Sequence, residues 1–297
     1  MSRMNTALTA TIAVAVLAIA GFLWWQRQPA PAPAPEPTVA EAPAPEAAAS
    51  APQAEQHFPI PETTPPESLA ALDKSDPQVT AALDALLGSK AVQAFLLTDT
   101  FVRRVVATVD NLGRSHAAPR LWPVQPTNGQ FTTVGTPEQR SVGADNAIRY
   151  GPLLNLVESV DMRHAAAVYV RFYPLFQQAY EELGYPKKYF NDRLVVVIDN
   201  LLAAPEPNGP VEVRLTEVKG PEQVSRPWVH YEFVDPELEG MTAGQKIMVR
   251  MGVVNERRAK VKLRELRAAV TNAKDALQAS LQPVHAEPAA SGASAPR

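Results

Sequence analysis

Hydrophobic and polar positions divide the chain into stretches with distinct patterns. An uncharged apolar run of 20 residues extends from Thr6 to Trp25, which is long enough to cross a hydrocarbon layer of roughly 30 Å as a helix. Residues 26–72 are rich in Pro, Ala and Glu, residues 73–282 show helix and strand periods, and residues 283–297 return to Pro, Ala and Ser. This pattern predicts a short cytoplasmic N-terminus (residues 1–5), a transmembrane helix, a linker, one globular domain and a disordered tail.

The apolar run favours a retained membrane anchor. A cleaved secretory signal has an apolar core of about 7 to 15 residues and then a small-residue cleavage site. Here the core is longer, ends in Trp24 and Trp25, and is followed by alternating prolines. An aromatic pair at this place is typical of the membrane interface, where amphipathic rings lie at headgroup depth. A cleaved signal and a buried helix of a soluble protein stay open as alternatives.

Flanking charges predict the side of the membrane on which the domain lies. Arg3 and the N-terminal amine precede the run, and Arg27 follows it closely. The positive-inside rule therefore favours a cytoplasmic N-terminus. In a bacterial cell this arrangement describes a single-pass protein of the inner membrane with its globular domain in the periplasm.

The stretch from residue 26 to residue 72 is predicted to be a disordered Pro/Ala-rich linker. Its composition offers too little apolar side-chain volume to offset the entropy lost on ordering. Part of it is expected to adopt the extended polyproline II conformation, which would hold the domain away from the headgroups. A Pro-rich docking peptide for another domain is the alternative interpretation.

The period of apolar residues predicts a mainly α-helical domain with a small antiparallel β-hairpin. The helices predicted from a 3.6-residue period lie at approximately 76–88, 89–113, 136–150, 152–183, 187–203, 242–252 and 254–282. Asp76 is the predicted N-cap of the first helix, and Pro174 is expected to kink the fourth. Strict alternation at residues 211–215 and 229–233 predicts the two strands of the hairpin. A further short strand is expected near Phe131.

Composition excludes several kinds of chemistry. The chain contains no cysteine, so it has no disulfide, thiolate nucleophile, Cys-ligated zinc or iron–sulfur cluster. Its formal net charge of −3 provides no general attraction to nucleic acid, and no nucleic-acid partner is expected.

Several separated segments of the domain carry a resemblance to a known family. In chain order they are Phe101–Leu112, Arg149-Tyr150, Tyr173–Leu175, Ala179-Tyr180, Phe190–Leu194, Ile198-Asp199, Gly244–Lys246, Arg250–Gly252 and Lys262–Arg267. Together they resemble a bacterial family described only as a domain of unknown function (three-zero-one-four), over approximately Asp76 to Val270. The resemblance implies a membrane-tethered envelope protein. It supplies no established activity, cofactor or catalytic residue.

The common catalytic and cofactor-binding signatures are missing. The stretch Gly240–Lys246 lacks the spacing of a phosphate-binding loop and is better explained as a loop that enters a helix. The histidines are scattered: His57, His116, His164, His230 and His285. None has a second histidine three or four residues away, so no metal site is predicted, although distant residues could still assemble one. No catalytic residue and no cofactor are assigned.

Charged residues within apolar helices are the remaining candidates for a site. Such residues usually form structural ion pairs or solvated faces, and the four-residue spacing of Asp99 and Arg103 fits a pair within one helix. A groove for a partner or ligand is the second interpretation, and acid/base catalysis is the third. The candidates for this groove are Arg103, Arg104, Asp110, Arg149, Tyr150, Asp192 and Arg193.

The last predicted helix has a basic side and an apolar side. Its basic residues are Arg257, Arg258, Lys260, Lys262, Arg264 and Arg267. They are interpreted as a solvated face, with an anionic partner as the alternative. The apolar residues follow a coiled-coil-like spacing from Ala259 to Leu277, which allows either packing on the domain or self-association through this helix.

Taken together, these features predict a membrane-anchored envelope protein that is a non-enzymatic interaction or accessory module. Its expected partners are the membrane and another envelope protein. The alternative is an envelope-acting enzyme or a ligand-binding domain that uses a charged Arg/Asp cleft.

Overall fold

The computed structural model describes residues 55–61, 69–216, 229–274 and 278. The predicted transmembrane run, most of the predicted linker and the predicted tail lie outside these residues. Within the described part of the chain, no helix combines the length and the apolar character needed to cross a membrane.

The described residues form a mainly helical domain with a small antiparallel sheet, which confirms the predicted fold class at this level. The α-helices, in chain order, are α1 (Asp76–Leu87), α2 (Ser89–Phe95), α3 (Phe101–Leu112), α4 (Asp145–Ser159), α5 (Met162–Glu182), α6 (Phe190–Leu202), α7 (Pro236–Glu239), α8 (Ala243–Arg250) and α9 (Val253–Thr271). The strands are β1 (Thr133–Gly135), β2 (Arg140–Val142), β3 (Glu212–Leu215) and β4 (Tyr231–Phe233).

The central helices pack through two neighbouring apolar clusters. In the first, Val102 and Val106 of α3 lie one turn apart and contact a cluster of α5 aromatic residues together with Phe190 of α6. The rings of Phe176 and Phe190 stack with their centroids 5.8 Å apart. In the second cluster, α5, α6 and α9 meet around Val195 and Val270, both 1% exposed. The helical period of these sequences therefore produces the core that it predicts.

The sheet is larger than the predicted hairpin. β3 and β4 pair antiparallel, as expected, but β1 and β2 extend the sheet in the order β1-β2-β3-β4. Val213 and Phe233 lie opposite each other and pack on Val249 of α8. One face of the sheet is thus buried against the helices.

The helix predicted at 136–150 was wrong over its first half, because residues 136–142 belong to the β1–β2 turn and strand β2. Gly135 has φ of +101°, and a Cβ at this position would overlap the Gln139 carbonyl oxygen. Thr136 accepts a hydrogen bond from the Gln139 N–H and so stabilises this turn instead of starting a helix. The expected strand near Phe131 begins two positions later, as β1.

The single helix predicted at 89–113 is two helices. Leu96 is extended and forms a β-bridge with Val124, and Thr100 has a left-handed backbone with φ of 49°. The Asp76 carboxylate accepts hydrogen bonds from the Thr100 N–H at 2.7 Å and the Phe101 N–H at 3.1 Å. Asp76 was therefore wrongly expected to cap its own helix; it binds the first amides of α3.

The break also corrects the predicted pairing of Asp99 with Arg103. Because Asp99 lies before α3, its carboxylate pairs with Arg104 at 2.8 Å. Arg103 pairs instead with Asp73 and Glu182.

The long helix predicted at 152–183 is likewise divided, between α4 and α5. The Asp161 side chain accepts a hydrogen bond from the Arg163 N–H and caps α5. Pro152 and Pro174 lie inside these two helices.

Later in the chain, Thr242 and Gln245 form a reciprocal capping box at the start of α8. This confirms that the stretch at 240–246 is a loop entering a helix.

Parts of the predicted linker interval contact the domain. Residues 55–61 bind to α6 and its surroundings, and Leu72 is buried in the first apolar cluster. In these two places the chain is held by the domain and is not a free spacer.

Asp76→Ala is expected to destabilise the domain by about 1 kcal/mol, because the amides of Thr100 and Phe101 at the start of α3 lose their acceptor. The measurement is urea denaturation of the full chain in detergent. Asp84→Ala, on the same helix, is the control, since the Asp84 side chain makes no hydrogen bond to the described residues. Equal stability of the two variants would contradict the capping role.

Candidate functional site

The seven candidate residues lie in three places. Arg103 and Arg104 are on one side of α3, and Arg149 and Tyr150 are on α4 near the sheet. Only Asp110, Asp192 and Arg193 come together, where the end of α3 meets the start of α6. The predicted groove is therefore not one continuous site, and the third place is the strongest candidate.

Arg103 and Arg104 hold neighbouring segments together. Arg103 links Asp73 to Glu182 on α5. Arg104 pairs with Asp99 and donates to the Arg120 carbonyl at 2.8 Å, so it fastens the loop after α3. These contacts support the structural interpretation of both arginines.

Arg149 and Tyr150 also have structural surroundings. Arg149 donates hydrogen bonds to the Asn128 and Gly129 carbonyls and to the Thr127 hydroxyl, and so fixes the loop before β1. Tyr150 packs in an apolar cluster between α4, α8 and α9. Burial raises the pKa of Tyr150 above its usual value, so its phenol stays protonated at neutral pH.

The buried carboxylate of Asp110 is the centre of the third place. Asp110 is 4% exposed. One of its oxygens lies 2.6 Å from Arg114 Nη2, and the other lies 3.2 Å from Arg193 Nη2. The Tyr185 hydroxyl is 3.3 Å from the first oxygen. Both oxygens are thus engaged by donors of the protein itself, as a buried charge requires.

The close approach of α6 to α3 depends on Gly113. Arg193 also donates to the Asp110 carbonyl oxygen at 2.7 Å, which carries its guanidinium across the end of α3. A Cβ at position 113 would lie 2.9 Å from Arg193 Nη2. A larger residue at position 113 would therefore displace the arginine from the buried carboxylate.

An open cleft of about 390 Å³ lies beside this ion pair. Its remaining lining residues are Glu55, His57, Tyr180, Tyr185, Lys188, Tyr189, Asp192 and Val196. The rings of Tyr180 and Tyr185 stack 4.6 Å apart, and Lys188 Nζ lies 5.5 Å from the Tyr185 ring centroid. Burial raises the pKa of Tyr180 to about 12, so this phenol is neutral. The accessible charges at the cleft come from Arg114, which is 53% exposed, and from Lys188 and Glu55.

Residues 55–61, here named the strap, form one side of the cleft. The Asp192 carboxylate accepts the His57 N–H at 3.1 Å and the Phe58 N–H at 2.8 Å. The Asn191 side chain donates to the Phe58 carbonyl at 2.9 Å. Phe58 packs against the cluster between α5, α6 and α9. Asp192 therefore binds backbone, and it does not face the cleft as a free carboxylate.

Sequence reasoning missed Arg114, Tyr185 and the strap. Asp110 and Arg114 are four residues apart on one helical path, so a search for ion pairs at this spacing would have found them. The contacts of Asp110 with Tyr185 and of Asp192 with His57 join residues 75 and 135 positions apart. A local pattern carries no signal for such pairs.

The basic side of α9 is largely used within the domain. Arg257, Arg258, Lys260, Lys262 and Arg267 each form an ion pair, the last with Asp199. On the apolar side, Ala259, Ala269, Val270 and Ala273 are buried in the domain. The sequence allows either packing on the domain or self-association through this side, and the described residues show packing on the domain.

No group of three His, Asp or Glu residues within the described ranges is arranged to hold a metal ion. Of the scattered histidines, His57 lines the cleft, and His164 Nδ1 lies 3.6 Å from a carboxylate oxygen of Asp161.

Asp110→Asn is expected to lower the free energy of unfolding by about 2 to 4 kcal/mol, because two arginines lose the buried charge that they share. Denaturation of the full chain measures the loss. Asp73→Asn is the matched control, since Asp73 is 80% exposed and such pairs contribute little. An unchanged stability of Asp110→Asn would show that the ion pair does not hold α3 to α6.

Comparison with known proteins places the chain in a family but gives it no activity. No curated protein and no solved structure shows significant similarity to it. A family model described as "Protein of unknown function (DUF3014)" matches residues 101–267, which is more than half of the chain and includes Asp110, Arg114, Asp192 and Arg193. The chain therefore belongs to this family of proteins of unknown function.

Proposed function

We propose that the chain is a single-pass protein of the bacterial inner membrane whose periplasmic domain is a non-enzymatic interaction or accessory module. The apolar run at residues 6–25, the charges around it and the Pro/Ala-rich stretch after it support this location. The proposed partners are the membrane, through the anchor, and another envelope protein, through the domain.

The observation that carries the proposal is the strap beside the cleft. The stretch that follows the proposed anchor reaches the domain at residues 55–61, and Glu55 and His57 form part of the cleft. A protein bound there would contact the helical domain and would either contact or displace the end of the tether. Such a site couples tethering to binding, as an accessory protein requires.

The charges at the cleft suit a protein surface. Arg114 and Lys188 carry exposed positive charge, whereas Asp110 is neutralised by its own arginines. Exposed charges at the rim of an interface steer association and select the partner. An acidic protein surface is the complement of these two cations.

An enzyme or a ligand-binding domain that uses the same cleft is the second candidate, and the half-exposed Arg114 guanidinium is the observation that favours it. A catalytic base would need a carboxylate that can accept a proton from a substrate. Asp110 and Asp192 both have their oxygens occupied by donors of the chain. The interaction module is therefore the better supported of the two.

Lys188→Glu is expected to reduce capture of the envelope partner roughly tenfold, because it reverses an exposed charge at the cleft. The measurement is quantitative crosslinked affinity purification from membranes with the full chain. Lys90→Glu, an exposed reversal on α2, is the matched control and should capture as the wild type does.

The same experiment tests tethering when the domain is exported without the anchor. Loss of stoichiometric capture in that form, with the full chain active, is the expected result. If no protein is recovered by the full chain, or if Lys188→Glu captures normally, an interaction module acting through this cleft is contradicted.

A further inference from the structure

We infer that the place on α6 where the strap lies is a binding site for a short peptide segment with an aromatic side chain, occupied in this structure by the chain's own residues 55–61. This site is here named the seat. The inference rests on the proposed interaction function and states the kind of partner segment that the domain takes.

The seat recognises peptide backbone. The two Asp192 oxygens accept consecutive amides, those of His57 and Phe58, and Asn191 donates to the carbonyl of Phe58. Three backbone groups of a two-residue stretch are thus bound by side chains of α6. These backbone contacts hold the bend that the strap makes at His57 and Phe58, and a side-chain pocket adds specificity.

Asn191 is held in position by the domain. It is 0% exposed, its amide oxygen accepts the Tyr169 hydroxyl at 3.1 Å, and its amide nitrogen also donates to the Val270 carbonyl at 3.3 Å. These contacts join α5, α6 and the end of α9, and none involves the strap. The donor that binds Phe58 is therefore fixed before a peptide arrives, and an empty seat would leave one of the two N–H bonds of this amide nitrogen without its partner.

Phe58 occupies an apolar pocket that would give the site its specificity. Its ring packs against a cluster that includes Val195, Ile198 and Val270, which are 1%, 2% and 1% exposed. Pro59 follows Phe58, and a proline restricts the backbone conformation of the residue before it. The expected motif is an aromatic residue followed by proline, with N–H groups on the aromatic residue and on the residue before it.

Charge adds a preference upstream of the aromatic residue. Glu55, three residues before Phe58, lies in the cleft with Arg114, Lys188 and Arg193. An acidic residue at this position of a partner segment would meet the same cations. The segment that fits best is thus Glu-x-x-Phe-Pro, the sequence of the strap itself.

The strap and the seat are separable parts of the chain. The seat residues Tyr169, Asn191, Asp192 and Val195 lie inside the family match at 101–267, and the strap lies outside it. Residues 62–68 join the strap to the domain in sequence. A strap tethered in this way competes with a partner through its high local concentration. A partner segment that replaces it would also remove Glu55 and His57 from the cleft, so that binding opens the cleft.

The test uses the full chain in detergent and a fluorescent peptide with the sequence of residues 55–61. Phe58→Ala weakens the chain's own strap, so this variant should bind the peptide saturably and at least about tenfold more tightly than the wild type. A peptide in which alanine replaces the phenylalanine should bind at least about tenfold more weakly, since it lacks the side chain for the pocket.

Matched variants separate the seat from general effects. Phe131→Ala removes an aromatic residue far along the chain from the strap, and its affinity for the peptide should equal that of the wild type. Adding Asp192→Ala to Phe58→Ala should abolish peptide binding. If Phe58→Ala does not fold, His57→Pro serves instead, because it removes one of the two bound N–H groups and keeps the pocket.

If a folded Phe58→Ala chain does not bind the peptide, or binds both peptides equally, the seat is not a peptide-binding site. If this happens while Lys188-dependent capture of an envelope protein persists, the proposed interaction function survives and only the peptide site is wrong. Peptide binding by the seat without any envelope partner would support the site and contradict the proposed function.

Discussion

The buried charge of Asp110 constrains the arrangement of the central helices. A carboxylate at 4% exposure requires partners, and the structure supplies Arg114 from beyond the end of α3 and Arg193 from α6. Gly113 leaves the space through which the second guanidinium reaches it. The start of α6 is thereby fixed against the end of α3. This position determines which side chains of α6 face the cleft and the strap.

Three consecutive residues at the start of α6 have three different tasks. Asn191 binds the strap carbonyl and joins α5 to α9, Asp192 binds two strap amides, and Arg193 holds α3. Successive residues of a helix point about 100° apart, so one short stretch can serve three neighbours. The apolar residues Val195 and Ile198 then continue into the core. The first turn of α6 thus contributes to the cleft, to the binding of the strap and to the packing of the domain.

Elements with strong local signals were predicted well from sequence. The loop that enters a helix at 240–246, the start of the first helix at residue 76 and the alternation in β3 and β4 each depend on residues within a few positions. The missed break before α3 depends on a distant partner, because Asp76 binds the amides of Thr100 and Phe101 from 24 and 25 residues away. Apolar spacing alone continues through such a break, because the residues on both sides face the same core.

The candidate site was also predicted only in part from the sequence. Asp110, Asp192 and Arg193 were identified from sequence as charges in apolar helices; in the structure Asp110 pairs with Arg193, and Asp192 accepts two backbone amides of the strap. Their meeting point required the fold, since Arg193 reaches Asp110 across 83 positions. Arg103, Arg104 and Arg149 were grouped with them as charged residues of predicted helices, and the structure places them elsewhere with partners of their own.

The most direct test of this account is hydrogen exchange at the backbone amides of His57 and Phe58 in the full chain. If the strap is bound by Asp192, both amides should exchange slowly in the wild type, and Asp192→Ala should make them exchange rapidly while the amides of α5 keep their protection. Rapid exchange of both amides in the wild type would contradict the claim that the end of the tether is part of the site.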